Sequence, residues 1–268
     1  MVRVHRGPPL LRNSPIRVQK VASRVVDTAS RASTAEVDGG RVHFSVRYLA
    51  MPMTTFDLND VREYLATFKT RQLTAFAAFW AQRLMPMYRR FCTLEEVGGP
   101  GEVQACLDLA WLAANGDRAP LSRLNECQKR LVNLAPELEA RPILAYGAME
   151  CTAATWDALA IVDSKGVDHA IASLRGYKQT IEHFLLNRDH QGVRIATKQP
   201  DPLGLAMDPI WRKEVDVLNA LLLTLAAQPV PTGETIDRLK AEAENHTVAA
   251  LVDSMVELSQ ALGRSKLS

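Results

Sequence analysis

The chain has 268 residues, of which 47% are hydrophobic and 23% are charged, and its mean hydropathy is −0.09. These values are typical of an ordinary globular protein and exclude fibrous and wholly disordered classes. No stretch approaches the roughly 18 consecutive apolar residues of a membrane span, so we expect no membrane partner. The net charge of +2 is too small to indicate an acidic partner.

The first 50 residues differ in charge from the rest of the chain. They carry nine Arg and Lys against three Asp and Glu, a net of +6, whereas the other 218 residues carry 23 basic and 27 acidic groups, a net of −4. Their polar sequence has no sustained apolar face, so it cannot bury enough surface to offset the entropy lost on ordering. We therefore predict a disordered basic segment at 1–52 and one helical domain at 53–268.

Two origins are open for the basic segment. Its Arg-rich, Ser-rich and acid-poor composition resembles a transit peptide, although it lacks the apolar core of a secretory signal. We favour the second interpretation, in which Met51 or Met53 opens the globular chain and the preceding residues come from an upstream start assignment.

Apolar residues recur at spacings of three and four from residue 57 onward, and no clean alternating run interrupts them. This pattern predicts an all-α fold, a single compact domain of about eight or nine helices. Asp57 is expected to cap a first helix over 58–68. A second helix, 71–85, reaches Pro86, which either ends or kinks it. Its middle, 73–81, is apolar almost all round, so it belongs in the centre of the bundle.

Seven further helices complete the prediction. The helix over 143–162 is again apolar almost all round and is expected to be the second central helix. Asp208 and Pro209 have the residue types of an N-cap and a first helical position. The connection over 188–207 is long enough to indicate a mobile or functional loop. The seven helices cover about residues 101–114, 121–132, 143–162, 167–186, 209–226, 233–243 and 247–262.

The motifs of common enzyme classes are absent. The sequence has no phosphate-binding P-loop, no hydrolase nucleophile elbow, no zinc-protease motif and no dinucleotide fingerprint. No histidine follows a glutamate at the spacing of di-iron bundles. We therefore expect no metal and no cofactor, and we name no catalytic residue. The four cysteines are too far apart for a metal or redox pair and are expected to be reduced in a cytoplasmic protein. They are Cys92, Cys106, Cys127 and Cys151.

Arg83 is the polar residue that most needs an explanation. It follows Phe79 by one helical turn on a central helix, so its guanidinium is expected inside the core. A buried charge persists only when it is paired, so a carboxylate must lie nearby. Two interpretations stay open: a polar pocket for a ligand or for acid–base chemistry, and a buried ion-pair network that sets helix register. The other candidate members of this group are Tyr88, Asp108, Glu150 and Asp157.

The stretch from Arg71 to Cys92, RQLTAFAAFWAQRLMPMYRRFC, resembles the opening helices of the bacterial YjaG-like family, also called domain of unknown function 416. The spacing R-x-x-P-x-Y-x-x-F from Arg83 to Phe91 is the most specific part of the resemblance. Later segments follow in the order of the family, so the resemblance extends over about 57–250. It implies a compact, all-helical, cytoplasmic bacterial protein and supplies no catalytic residue.

Three functions from different classes are open. The first is a non-catalytic protein–protein interaction or regulatory module, which agrees with the missing motifs. The second is an immunity-type protein that neutralises a toxin through a complementary acidic surface. The third is a small-ligand binder or enzyme that uses Arg83 and its carboxylates. We expect a protein partner and no nucleic acid, because the basic excess lies in the segment least suited to fold.

Overall fold

The computed structural model describes residues 53–136, 142–164, 166–189, 202–244, 248 and 251–257. Helices and their connections make up this part of the chain, which contains no strand, so the predicted all-α class is confirmed. The predicted disordered segment 1–52 lies outside the described residues.

Nine helices have defined bounds, and residues 251–257 form a last helical segment, α10. The nine are α1 (Leu58–Leu65), α2 (Thr70–Glu95), α3 (Pro100–Asn115), α4 (Leu121–Leu134), α5 (Pro142–Ser164), α6 (Val167–Asp189), α7 (Pro202–Met207), α8 (Pro209–Ala226) and α9 (Gly233–Glu244).

Two helices begin at the predicted caps. The Asp57 carboxylate accepts hydrogen bonds from the backbone N–H groups of Asn59 and Asp60 at the start of α1. The Asp208 carboxylate does the same for Ile210 and Trp211 at the start of α8. Each cap satisfies backbone donors that have no partner within the helix, which fixes where the helix starts.

The helix α2 is the centre of the fold. Every residue from Gln72 to Met85 is buried, as its all-round apolar character predicts. Pro86 lies inside the helix and does not end it, because α2 continues to Glu95. The residues that follow Pro86, Met87 and Tyr88, are buried, and we attribute the continuity of α2 to this packing, which compensates for the hydrogen bond that proline cannot donate.

The second central helix is α5, which packs against α2, α3, α4 and α6. Gly147 allows its close approach to α2, since a Cβ at this position would lie 2.3 Å from the Met87 Cε atom. The remaining helices surround this pair. At the start of the described chain, the backbone N–H and carbonyl groups of Met53 both bond to the Asn219 side chain of α8.

The connection between α6 and α8 differs from the prediction of an unstructured 188–207 segment. The helix α6 continues to Asp189, and the short helix α7 occupies Pro202–Met207, while 190–201 lie outside the described residues. Arg188 bonds to Asp208 (Nη2 to Oδ2, 2.6 Å), which ties the end of α6 to the start of α8. In the part of the chain described here, no helix has both the length and the apolarity needed to cross a bilayer.

We predict that Asp208→Ala lowers the free energy of unfolding by about 1 kcal/mol, because it removes the cap of α8. Asp208→Asn is the matched control, since it keeps a capping oxygen and loses only the charge. Burial alone raises the pKa of Asp208, but Arg188 and the backbone donors outweigh burial and lower it. The contribution of the charge is therefore present above about pH 4, the pKa of an unfolded aspartate, and lost as the pH falls through the lower folded value.

Urea denaturation at pH 7 and at pH 3 measures the loss of the cap and the contribution of the Asp208 charge to the free energy of unfolding. Equal unfolding free energies for Asp208→Ala and the original chain at pH 7 would contradict the assigned cap.

Candidate functional site

Arg83 is buried in the middle of α2, with 2% of its surface exposed. Its Nη2 atom forms a salt bridge with the Glu214 carboxylate of α8, which is fully buried. Its Nε atom donates to the Tyr177 hydroxyl of α6 at 3.1 Å, and this hydroxyl donates to Glu214 Oε2 at 2.7 Å. We call these three residues the Arg83 cluster. The expected burial and pairing of Arg83 are thus observed, but its partner is a carboxylate that the sequence analysis did not name.

Aromatic rings enclose the guanidinium. The Arg83 Cζ atom lies 5.6 Å from the ring centroid of Phe79, 5.9 Å from that of Trp80 and 5.4 Å from that of Tyr177. These distances are within the range of cation–π attraction. The low polarity around the charge strengthens its attraction to Glu214, because both side chains are buried away from bulk solvent.

Electrostatics keep Arg83 charged and the Tyr177 hydroxyl protonated. Burial alone lowers the pKa of Arg83, but Tyr177 and Glu214 outweigh burial and raise it, so the guanidinium stays charged. Burial raises the pKa of Tyr177 well above its ordinary value, so its hydroxyl keeps the proton that it donates. Glu214 Oε2 accepts both hydrogen bonds, and Oε1 has no hydrogen-bond partner among the residues that the structure describes. The arrangement links α2, α6 and α8.

Helix periodicity explains why the three residues meet. Tyr177 follows the buried Leu174 by three residues, so it lies on the inward face of α6. Glu214 follows Trp211 by three residues and precedes Leu218 by four, so it belongs to the apolar stripe of α8. A carboxylate on an otherwise apolar stripe is the sequence signal that the prediction missed.

The carboxylates that were predicted to pair with Arg83 lie elsewhere, so this part of the prediction is wrong. Asp108 is half-exposed and accepts from Lys240 at 2.7 Å. Glu150 faces Gly176 of α6, where its carboxylate occupies the space of a side chain, and burial raises its pKa.

Asp157 pairs with a histidine of α6. Its Oδ1 atom lies 2.7 Å from His169 Nδ1, and the Trp156 ring meets the His169 ring edge to face. Burial raises the pKa of Asp157, although the contact with His169 lowers it. The pair connects α5 to the first turns of α6.

Tyr88 belongs to a third location. Its hydroxyl donates to the Leu134 carbonyl at 3.0 Å and so ties α2 to the end of α4. The hydroxyl also fills the space beside Gly99, whose φ of 121° places it in the region that favours glycine. The five predicted residues therefore divide among separate contacts, and only Arg83 is part of the Arg83 cluster.

An apolar groove lies between α4 and α5. Its volume is about 320 Å³, and Asp157 is the one ionisable residue among its lining residues. The α5 side presents residues at the i, i+3, i+4 and i+7 positions of one helix face. The α4 side includes Val132, which is 68% exposed. The lining residues are Leu131, Val132, Ala135, Met149, Thr152, Ala153, Trp156 and Asp157.

Metal chemistry has no obvious ligand set in the described ranges. They contain no group of three or more His, Cys, Asp and Glu residues arranged to hold an ion. Two features thus stand out as candidate sites: the enclosed Arg83 cluster and the open α4–α5 groove.

The sequence from residue 60 to residue 251 matches the family described as "Protein of unknown function (DUF416)". The match covers more than two thirds of the chain. The chain belongs to the DUF416 family. The predicted resemblance over 57–250 is thereby confirmed. No curated protein matches the chain.

The DUF416 fold recurs in a crystal structure. The chain is similar to a DUF416 family protein from Shewanella baltica OS155, with a TM-score of 0.56 and 18% sequence identity. The similarity covers 68% of this chain and 92% of the Shewanella protein. At this identity the likeness establishes the shared helical fold.

We predict that Arg83→Met lowers the free energy of unfolding of this DUF416 protein by roughly 3–5 kcal/mol, because it leaves the buried charge of Glu214 uncompensated. The double variant Arg83→Met with Glu214→Leu is expected to recover most of the loss, since an apolar pair needs no desolvated charge. Urea denaturation followed by circular dichroism measures both.

Arg130→Met is the matched control, because it breaks an exposed ion pair with Glu126 and is expected to change stability little. If Arg83→Met left the unfolding free energy unchanged, the cluster would not hold the three helices together.

Proposed function

We propose that this DUF416 protein is a non-catalytic protein-interaction module of the cytoplasm, and that it binds a partner protein chain through the α4–α5 groove. The observation that carries the proposal is the open face of α5. Met149 and Ala153 of this central helix line the groove, and Trp156, which contacts His169 of α6 edge to face, lines it as well. An apolar surface with a polar rim is typical of a protein-binding site.

The exposed side chains of the groove support binding more than catalysis. Val132 presents 68% of its surface to solvent, so a partner that covers it would remove apolar surface from water. Asp157 is the single ionisable lining residue, and it is already paired with His169. General acid–base catalysis needs a titratable group within reach of a substrate, and the apolar lining offers little else.

The Arg83 cluster also supports binding at the surface, because the cluster itself is closed to ligands. Its three members are at most 2% exposed, so a ligand has no open path to the guanidinium. Their mutual hydrogen bonds use Arg83 Nε and Nη2, the Tyr177 hydroxyl and Glu214 Oε2. We therefore assign the cluster a structural role and place binding at the surface.

We predict that Val132→Glu weakens partner binding at least tenfold, because the variant buries a charge against apolar surface, and leaves the thermal stability unchanged. The partner is first identified by capture from the native host, and the complex is then rebuilt from the two purified proteins. Isothermal titration calorimetry measures the affinity. Leu223→Glu on α8 is the matched control, since Leu223 is 51% exposed and remote in sequence from the groove.

Equal loss of binding in both variants would contradict the groove as the binding surface. A rebuilt complex in which a toxin loses its activity would assign the immunity-type function to the same surface.

A further inference from the structure

We propose that Cys106 of α3 and Cys127 of α4 form a reversible disulfide bond when the protein meets a low-molecular-weight disulfide such as oxidised glutathione. The bond joins two neighbouring helices and makes this cysteine pair a redox-dependent modification site. Neither cysteine lines the α4–α5 groove, so the site goes beyond the proposed function, and its test needs no partner protein.

The packing of α3 against α4 brings the two cysteines together. They are 21 residues apart in sequence, which gives no sign of a redox pair, yet the Cys106 thiol lies 3.9 Å from the Cys127 carbonyl oxygen. Cys127 follows the buried Leu124 by three residues and precedes the buried Leu131 by four, so it lies on the inward face of α4. Tertiary contact thus supplies the proximity that the spacing in sequence does not.

The two thiols also interact with each other. Burial, and after it the hydrogen bond and the charge of the Cys127 thiol, raise the pKa of Cys106 well above its ordinary value. The charge of Glu102 acts in the same direction, whereas that of Arg130 opposes it. A hydrogen bond between thiols places two sulfur atoms next to each other, and such side chains approach further by rotation about the Cα–Cβ bond.

Exposure gives the two thiols different roles. Cys127 is half-buried, whereas Cys106 has only 2% of its surface exposed. All four cysteines of the chain are free thiols, and Cys127 is the one that is not buried. An oxidant therefore meets Cys127 first, and Cys106 lies beside it as the resolving thiol.

Thiol–disulfide exchange forms the bond in two steps. The Cys127 thiol loses its proton, and its sulfur attacks one sulfur of oxidised glutathione. The glutathione S–S bond breaks, and the first glutathione leaves as a thiolate that takes up a proton. The Cys106 thiol then loses its proton and attacks the Cys127 sulfur, which releases the second glutathione as a thiol. Two protein thiols are thus oxidised to one disulfide, while one glutathione disulfide is reduced to two thiols.

The other two cysteines have no such access. Cys92 is 3% exposed, and Cys151 is fully buried beside Met85 of α2. A small oxidant therefore reaches the Cys106–Cys127 pair in the folded chain and leaves the other two as thiols. Reaction of all four thiols is expected only after unfolding.

We predict that oxidised glutathione converts two of the four thiols of the reduced, folded chain into one internal disulfide. After incubation, the remaining thiols are alkylated in denaturant and counted by mass spectrometry. Digestion with trypsin and a glutamate-specific protease then maps the bond, because cleavage after Glu95 or Glu102 separates Cys92 from Cys106. The expected product joins the peptide of Cys106 to that of Cys127, and dithiothreitol releases the two.

Three variants test the roles of the thiols. Cys106→Ser leaves Cys127 without its resolving thiol, so we expect a glutathione adduct to accumulate there. Cys127→Ser removes the accessible thiol and is expected to keep its other cysteines reduced. Cys92→Ala is the matched control and is expected to form the same bond as the unsubstituted chain. Because the bond closes a loop, oxidation is expected to raise the Tm of the unsubstituted chain and of Cys92→Ala by roughly 5–10 °C, and to leave that of Cys127→Ser unchanged.

The unsubstituted chain by itself can contradict the proposal, whatever a variant does to folding. A peptide that joins Cys106 or Cys127 to a different cysteine would overturn the assigned pair. A glutathione adduct that persists at Cys127 would show that Cys106 is out of reach. Four alkylated cysteines after oxidation of the folded chain would show that the oxidant does not reach Cys127. A bond that forms only in urea would show that the folded helices hold the two thiols apart, which would also overturn the proposal.

Discussion

The fold depends on one buried ion pair. Arg83 places a positive charge at the centre of the bundle, where an isolated charge would cost several kcal/mol, and Glu214 and Tyr177 make its burial tolerable. The three residues come from α2, α6 and α8. Their contacts favour one relative position of these helices, because a shift of one helix along another would separate the charges. Apolar packing by itself tolerates many small shifts, whereas a hydrogen-bonded charge tolerates few.

The central position of two apolar helices explains where a functional surface can arise. The helix α2 is enclosed on all sides from Gln72 to Met85, so it has no free surface to offer. The helix α5 has the same apolar character, yet the strip that contains Met149 and Trp156 borders an open groove. The function that we propose follows from this difference in how far each helix is covered.

Much of the fold was predictable, because helix periodicity and caps are local signals. The caps at Asp57 and Asp208 needed only a capping residue type ahead of an apolar repeat. The passage of α2 through Pro86 was not decided by local rules, because it depends on the burial of the residues around the proline. The partner of Arg83 was missed for the same reason: Glu214 lies 131 residues away in sequence, and only the packing of α8 against α2 brings it near.

The sequence by itself determined the all-helical class, the two central helices, the family and the need for a carboxylate beside Arg83. These follow from spacing, residue type and the cost of an unpaired charge, which are properties of the chain. Only the tertiary structure decided which carboxylate pairs with Arg83. It also decided which groups Tyr88 and Asp157 contact and which face of α5 borders the groove. These depend on how helices distant in sequence pack together, and periodicity gives the buried face of each helix without naming the neighbour that covers it.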